Sequence, residues 1–159
     1  MDEAAKKSIL RLFTYGLYAI TCGDGDARNA FTANWLTQVS FEPPLVALSV
    51  ENDAASLALI RASGTFAICV LARSQRELAG SLGRPLSRAP QKLDGLQWLP
   101  APSGAAPVLA DCLGWLRCRV ESQTPAGDST LLVARVIDAG QIGQGEPLTM
   151  REAGFRHSG

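Results

Sequence analysis

Residues 29–50 hold the densest set of side chains able to do chemistry. Hydroxyls stand at Thr32, Thr37 and Ser40, side-chain amides at Asn34 and Gln38, and an indole at Trp35. Pro43-Pro44 follow, whose rings fix φ and remove two backbone donors, and then an apolar run from Leu45 to Val50 that reads as a buried strand. Hydrogen-bonding groups beside an aromatic plane on a stiff support suit a small polar ligand. The same pattern also describes a plain hairpin whose polar residues face water, and Trp35 equally suits core packing.

Acid–base equipment is scarce. His157, close to the C-terminal end, is the single histidine, so Ser-His-Asp and Cys-His arrangements would have to draw on a terminus. Zinc sites built on paired His or Cys are equally poorly served, and no metal site is expected. Gly23-Asp24-Gly25-Asp26 lacks the spacing and terminal acid of a calcium loop and reads as a turn. No GxGxxG or P-loop pattern points to a Rossmann nicotinamide site. An enzyme so equipped borrows its chemistry from a cofactor.

The elements that must position these residues fit one domain over 1–159, a length ample for a single core. Fifteen basic and fifteen acidic residues balance, with no basic block, so neither nucleic acid nor an anionic membrane is an expected partner. With no signal peptide and no apolar run of about 18 residues, a cytoplasmic location is expected. Cys22, Cys69, Cys112 and Cys118 form no CxxC pair and read as buried free thiols.

In order, residues 2–13 read as a helix capped by Asp2, with Ile9, Leu10, Leu12 and Phe13 as its apolar face. A strand over 15–22 and a turn lead into 28–38. Asn52 and Asp53 either cap a helix over 54–62 or, with Ser56 in its first turn, help hold a phosphate at the helix start. Gly64 ends that helix and 65–71 is a second buried strand. Ser74-Gln75-Arg76-Glu77 reads as a capping box opening a helix to about Leu82. Residues 83–106 are a Pro- and Gly-rich surface excursion. A hairpin pairs 113–120 with 130–139, and the tail after Gly140 is turn-rich. Composition and pattern together support a mainly β chain with some α, favouring a closed barrel with helices outside.

The stretch from Ala30 to Asn52 resembles the signature of the flavin-reductase-like, FMN-binding split-barrel family. Thr65 to Leu71, Ala106 to Asp111, Leu116 to Val120, and Gly127-Asp128 are similar to its later segments, so the likeness covers about 8–155. The resemblance implies a split β-barrel of about six strands with peripheral helices, and noncovalent FMN with NAD(P)H as transient electron donor. It implies a site at Thr32, Ala33, Asn34, Trp35, Ser49, Val50, Glu51, Asn52 and Ser56, with backbone donors from Gln38, Val39 and Ser40. Either free flavin or a partner protein would accept the electrons.

Two positions depart from the family: Cys69 stands where many members have Asn, and Ser129 where many have the His of Gly-Asp-His. A non-catalytic flavin-holding electron carrier is therefore the alternative reading, and a split-barrel subunit without flavin a third. The resemblance also implies a homodimer. Leu86, Leu93, Leu96, Trp98 and Leu99 on the excursion fit that expectation if they cover a neighbouring subunit rather than their own core.

Overall fold

Apolar runs and period-two alternation of apolar and polar residues set the strands of this chain. The computed structural model describes residues 1–102 and 105–156, and His157 lies outside the described residues. In order, the chain forms α1 (Glu3–Leu10), β1 (Tyr18–Cys22), β2 (Asn29–Ala33), β3 (Leu36–Ser40), β4 (Leu45–Glu51), α2 (Ala55–Ser63) and β5 (Thr65–Val70). It continues through α3 (Arg76–Leu82), β6 (Trp98–Leu99), β7 (Val108–Leu109), β8 (Gly114–Ala126), β9 (Ser129–Gln141) and α4 (Met150–Ala153). Seven strands make one sheet in the order β2-β1-β5-β8-β9-β4-β3, while β6 and β7 pair separately. Every ladder is antiparallel. The mainly β expectation holds.

The two edges of this sheet, β2 and β3, are neighbours in sequence, separated only by Asn34 and Trp35. Three residue steps reach at most about 11 Å, so the sheet curls until its edges approach each other there. No ladder joins β2 to β3 among the described residues. The closed barrel expected from the strand pattern is thus an open, curled sheet, because the chain crosses the gap between its edges instead of pairing across it.

Alternation gives the sheet two apolar faces. Ile20, Val46, Leu48, Phe66, Ile68 and Leu132 point to one side and, with Leu57 and Ile60 of α2, fill the inner core. Ala19, Ala67, Cys69 and Leu71 point to the other, where Ala79 and Leu82 of α3 cover them. Fully buried side chains such as Phe66 and Leu48 each contribute about 1.5–3 kcal/mol relative to exposure.

Leu93, Leu96, Trp98 and Leu99 pack on this outer core. The excursion therefore covers part of its own chain, with side chains that stay half-buried. The outer face of the sheet needs a lid that α3 alone is too short to supply. Arg117, 8% exposed, pins that lid: Nε donates to the carbonyl of Ala106 at 3.3 Å and a terminal nitrogen meets Asp138 Oδ2 at 3.0 Å.

Other local expectations change as well. The first helix stops at Leu10 and buries no residue, and Ile9, Leu12 and Phe13 are 57%, 75% and 56% exposed, with the Phe13 ring beside that of Tyr15. The capping box at Ser74 does not form. Gln75 Oε1 instead accepts from the Ala72 N–H at 2.8 Å while its Nε2 donates to the Asp111 carbonyl at 2.7 Å, which ties α3 to the outer lid. The final hairpin is longer than expected, with strands of 13 residues each.

Candidate functional site

A cavity of about 760 Å³ opens beside the gap between the sheet edges, where β2, the end of β4, the start of α2, α3 and the loop after α3 converge. Thr32, Ala33, Asn34, Trp35, Ser49, Val50, Glu51 and Ser56 line it. The signature stretch comes together because β2 and β4, at nearly opposite ends of the strand order, are brought close by the curl. Gln38, Val39, Ser40 and Asn52 do not line the cavity. The first three lie farther along the edge strand, at an irregularity in the β3–β4 ladder, with Val39 49% exposed.

Asn52 serves the turn between β8 and β9. Its N–H donates to the Asp128 carbonyl at 2.9 Å, its Nδ2 to the Gly127 carbonyl at 3.3 Å, and its Oδ1 accepts from Thr130 Oγ1 at 2.7 Å. Neither it nor Asp53 caps α2. The N-cap is Ala54, with no side-chain bond. The Leu57 N–H is taken by the Ala54 carbonyl at 3.0 Å, so the uncapped donors beside the cavity are those of Ala55 and Ser56, and a helix start of that kind attracts anions.

Asn34 Nδ2 is buried with no hydrogen-bond partner. An orphaned buried donor costs about 1–3 kcal/mol, so an amide left this way at a cavity wall marks a place for a ligand acceptor. Thr32 Oγ1 spends its proton on the Ala79 carbonyl at 2.6 Å and so ties β2 to α3. Ser56, 3% exposed, accepts from Asn29 Nδ2 at 2.8 Å. Trp35 is 36% exposed at the cavity mouth, so it is not a core residue.

Sequence reasoning missed Lys92. It is 7% exposed, lines the cavity, and donates from Nζ to the carbonyls of Leu82 at 3.1 Å and Arg84 at 2.8 Å. Burial pushes its pKa down, with the Cys22 thiol acting in the opposite direction. Arg84 and Arg156 line the same cavity, as do Glu51 and Asp53. The one available signal was that Lys92 is the sole lysine beyond α1. It sits in a stretch with no periodicity, so nothing placed it.

Cys69 lies in the outer core, away from the cavity lining, with its thiol pKa driven up by the Cys112 side-chain hydrogen bond and by burial. Ser129 opens β9 opposite Glu51, 2% exposed, and donates to Asp128 Oδ1 at 3.1 Å. Among the described residues there is no His/Cys/Asp/Glu cluster able to hold a metal and no helix long and apolar enough to cross a membrane.

These features fit a flavin nucleotide: an uncapped helix start and cations for phosphate, an orphaned amide, and an aromatic at the mouth. The high molecular weight rubredoxin of Moorella thermoacetica is 34% identical over 142 residues, 88% of this chain but 62% of that protein, so the chain spans less than two thirds of this relative. The reductase subunit HsaB of a flavin-dependent monooxygenase from Rhodococcus jostii is 31% identical, over 93% of this chain and 74% of that one. An NADH:FAD oxidoreductase from Streptomyces globisporus superposes with a TM-score of 0.81 at 28% identity, covering 93% of this chain and 87% of that one. The profile of the flavin reductase like domain matches residues 10–159, and the chain belongs to that family.

Proposed function

We propose that this chain is a flavin-dependent oxidoreductase of the flavin reductase type, holding FMN noncovalently and drawing electrons from NAD(P)H. The observation that carries the proposal is the buried, partnerless Asn34 amide beside the uncapped start of α2 on one large cavity. When bound, a flavin supplies hydride acceptance from a nicotinamide and passes the electrons onward. The chain's own residues bind and orient. Asn34 donates to a polar edge, α2 and Ser56 take the phosphate with Lys92 as nearby countercharge, and Trp35 covers the mouth. Glu51, Val50 and Ser49 form the wall behind. Gln38, Val39, Ser40 and Asn52 would reach the flavin only through a shift of the β3 edge or the hairpin turn.

We read the gap between β2 and β3 as the split of the family's split barrel. The electrons would pass to free flavin or to an oxygenase-type partner, as the name of the Rhodococcus relative suggests. FAD in place of FMN is an outcome of the same test. A homodimer remains part of this reading, supported by exposed Val39 on the β3 edge and Phe41 (88%) in the turn after it. A cytoplasmic setting suits four free buried thiols. Consumption of NADH and NADPH, measured with added FMN and then FAD, tests the activity. Flavin-dependent oxidation of either nicotinamide supports it, and none with any pair refutes it.

Ser129 favours one second reading, a flavin-holding electron carrier that reduces its flavin slowly. Ser129→His should then raise nicotinamide-dependent turnover. Turnover equal to the parent's, with flavin bound, removes Ser129 from the argument.

A further inference from the structure

Asn29 lies at the first position of β2 and is 3% exposed, below Ser56 at the cavity floor. Its Oδ1 accepts from the Ala30 N–H at 2.8 Å, which fixes the orientation of the amide. Nδ2 must therefore face Ser56 Oγ, and does so at 2.8 Å. A hydroxyl that accepts from an amide keeps its own proton to donate, and two directions are open to it: the cavity, and the Cys22 sulfur, which the Ser56 side chain also reaches. The Ser56 hydroxyl lines the cavity beside the uncapped start of α2. The Cys22 thiol lies against the carbonyls of both residues, at 3.9 Å from Asn29 and 3.8 Å from Ser56, so the two backbones are held together from below.

We propose that Asn29 is a positioning residue: it sets the Ser56 hydroxyl as a donor toward the phosphate of the flavin nucleotide. This rests on the flavin reading of the cavity. The role is directional. A carboxylate of the same shape at position 29 would still accept from the Ala30 N–H, but it would capture the Ser56 proton and turn the donor away from the cavity.

Fluorescence titrations of the whole chain with FMN and with riboflavin, which lacks the phosphate, test this. Asn29→Asp should weaken FMN binding by tenfold or more and leave riboflavin binding within twofold of the parent. Asn29→Ala, which removes the donor without adding charge, should show the same split with a smaller loss and serves if the Asp variant fails to fold. In Asn29→Ala/Ser56→Ala the FMN loss should not exceed that of Ser56→Ala alone, since the first change acts through the second residue and adds no charge of its own. Equal loss of FMN and riboflavin, or additive losses in the double variant, would overturn the positioning role while leaving the flavin reading intact. A parent chain that binds neither flavin overturns the flavin reading and this inference with it.

Discussion

Two helix starts in this molecule are treated in opposite ways. The start of α1 is closed by its own sequence: Asp2 accepts from the Ala5 N–H at 3.0 Å and Glu3 pairs with Lys6. The start of α2 has Ala54 at the N-cap and no side-chain bond. Yet α1 buries no residue, whereas α2 buries Ser56, Leu57 and Ile60 and opens on the cavity. A helix that buries no residue must satisfy its own donors or fray. A helix held by its core face can leave donors open, and this one does so where Asn34 also has an unmet donor. Unsatisfied polar groups gathered at one place locate the site better than polarity does.

The largest effect that would break this contrast concerns the open side. Asn34→Ala and Ser56→Ala should each weaken FMN binding ten- to a hundredfold, about 1.5–3 kcal/mol for a hydrogen bond to a charged group. Fluorescence titration beside a melting curve measures it; unchanged affinity with a lower melting temperature would return both residues to a structural role.

Closing the open helix start should sharpen the contrast. Ala54 has φ −69 and ψ 125, the extended geometry an N-cap side chain needs. Ala54→Asp should stabilise the flavin-free chain by about 0.5–2 kcal/mol while reducing FMN affinity, because the new carboxylate competes for the same N–H groups. Denaturant unfolding and a titration on one preparation check the opposite signs. Both properties rising together would contradict the account.

Beneath that helix, burial raises the Cys22 thiol from 9.0 to about 11. The folded state keeps its proton where the unfolded chain loses it. The stabilisation is therefore complete below pH 9.0 and lost as pH rises through about 11. Cys22→Ala should flatten the fall in melting temperature across that window; an unchanged slope would show that Cys22 does not drive the fall. The smallest effect belongs to the closed start. Asp2→Ala should fray α1, visible as a slight loss of helical circular dichroism, with global stability changed by less than about 0.5 kcal/mol. A larger loss would mean that α1 is packed on something.

How much of this was legible in the chain varies by element. Short apolar runs such as Leu45 to Val50 and Thr65 to Val70 announce their strands because a continuous apolar stretch of that length between turn residues suits a buried strand. Gly64, with φ 68, announces a helix end because a left-handed C-cap suits glycine. The grouping of Thr32, Asn34 and Ser56 was visible only through the family resemblance, since the curl that unites β2 with α2 is a property of the whole sheet. Lys92 was invisible for a different reason: its ammonium is fixed by two backbone carbonyls on an irregular loop, and such contacts leave no periodic trace. Asn52 shows the reverse error: it looked like a local cap, and it is spent on a partner far away in sequence, at Gly127. Local polar chemistry is readable, but its partners are chosen by the tertiary fold.

The central claim, that this cavity holds one flavin, is tested most directly by titrating the purified chain with FMN while following flavin fluorescence and absorbance. The account predicts saturable binding at a stoichiometry near one per chain, weakened in Asn34→Ala. A colourless protein that leaves the fluorescence of added FMN and FAD unchanged would contradict it.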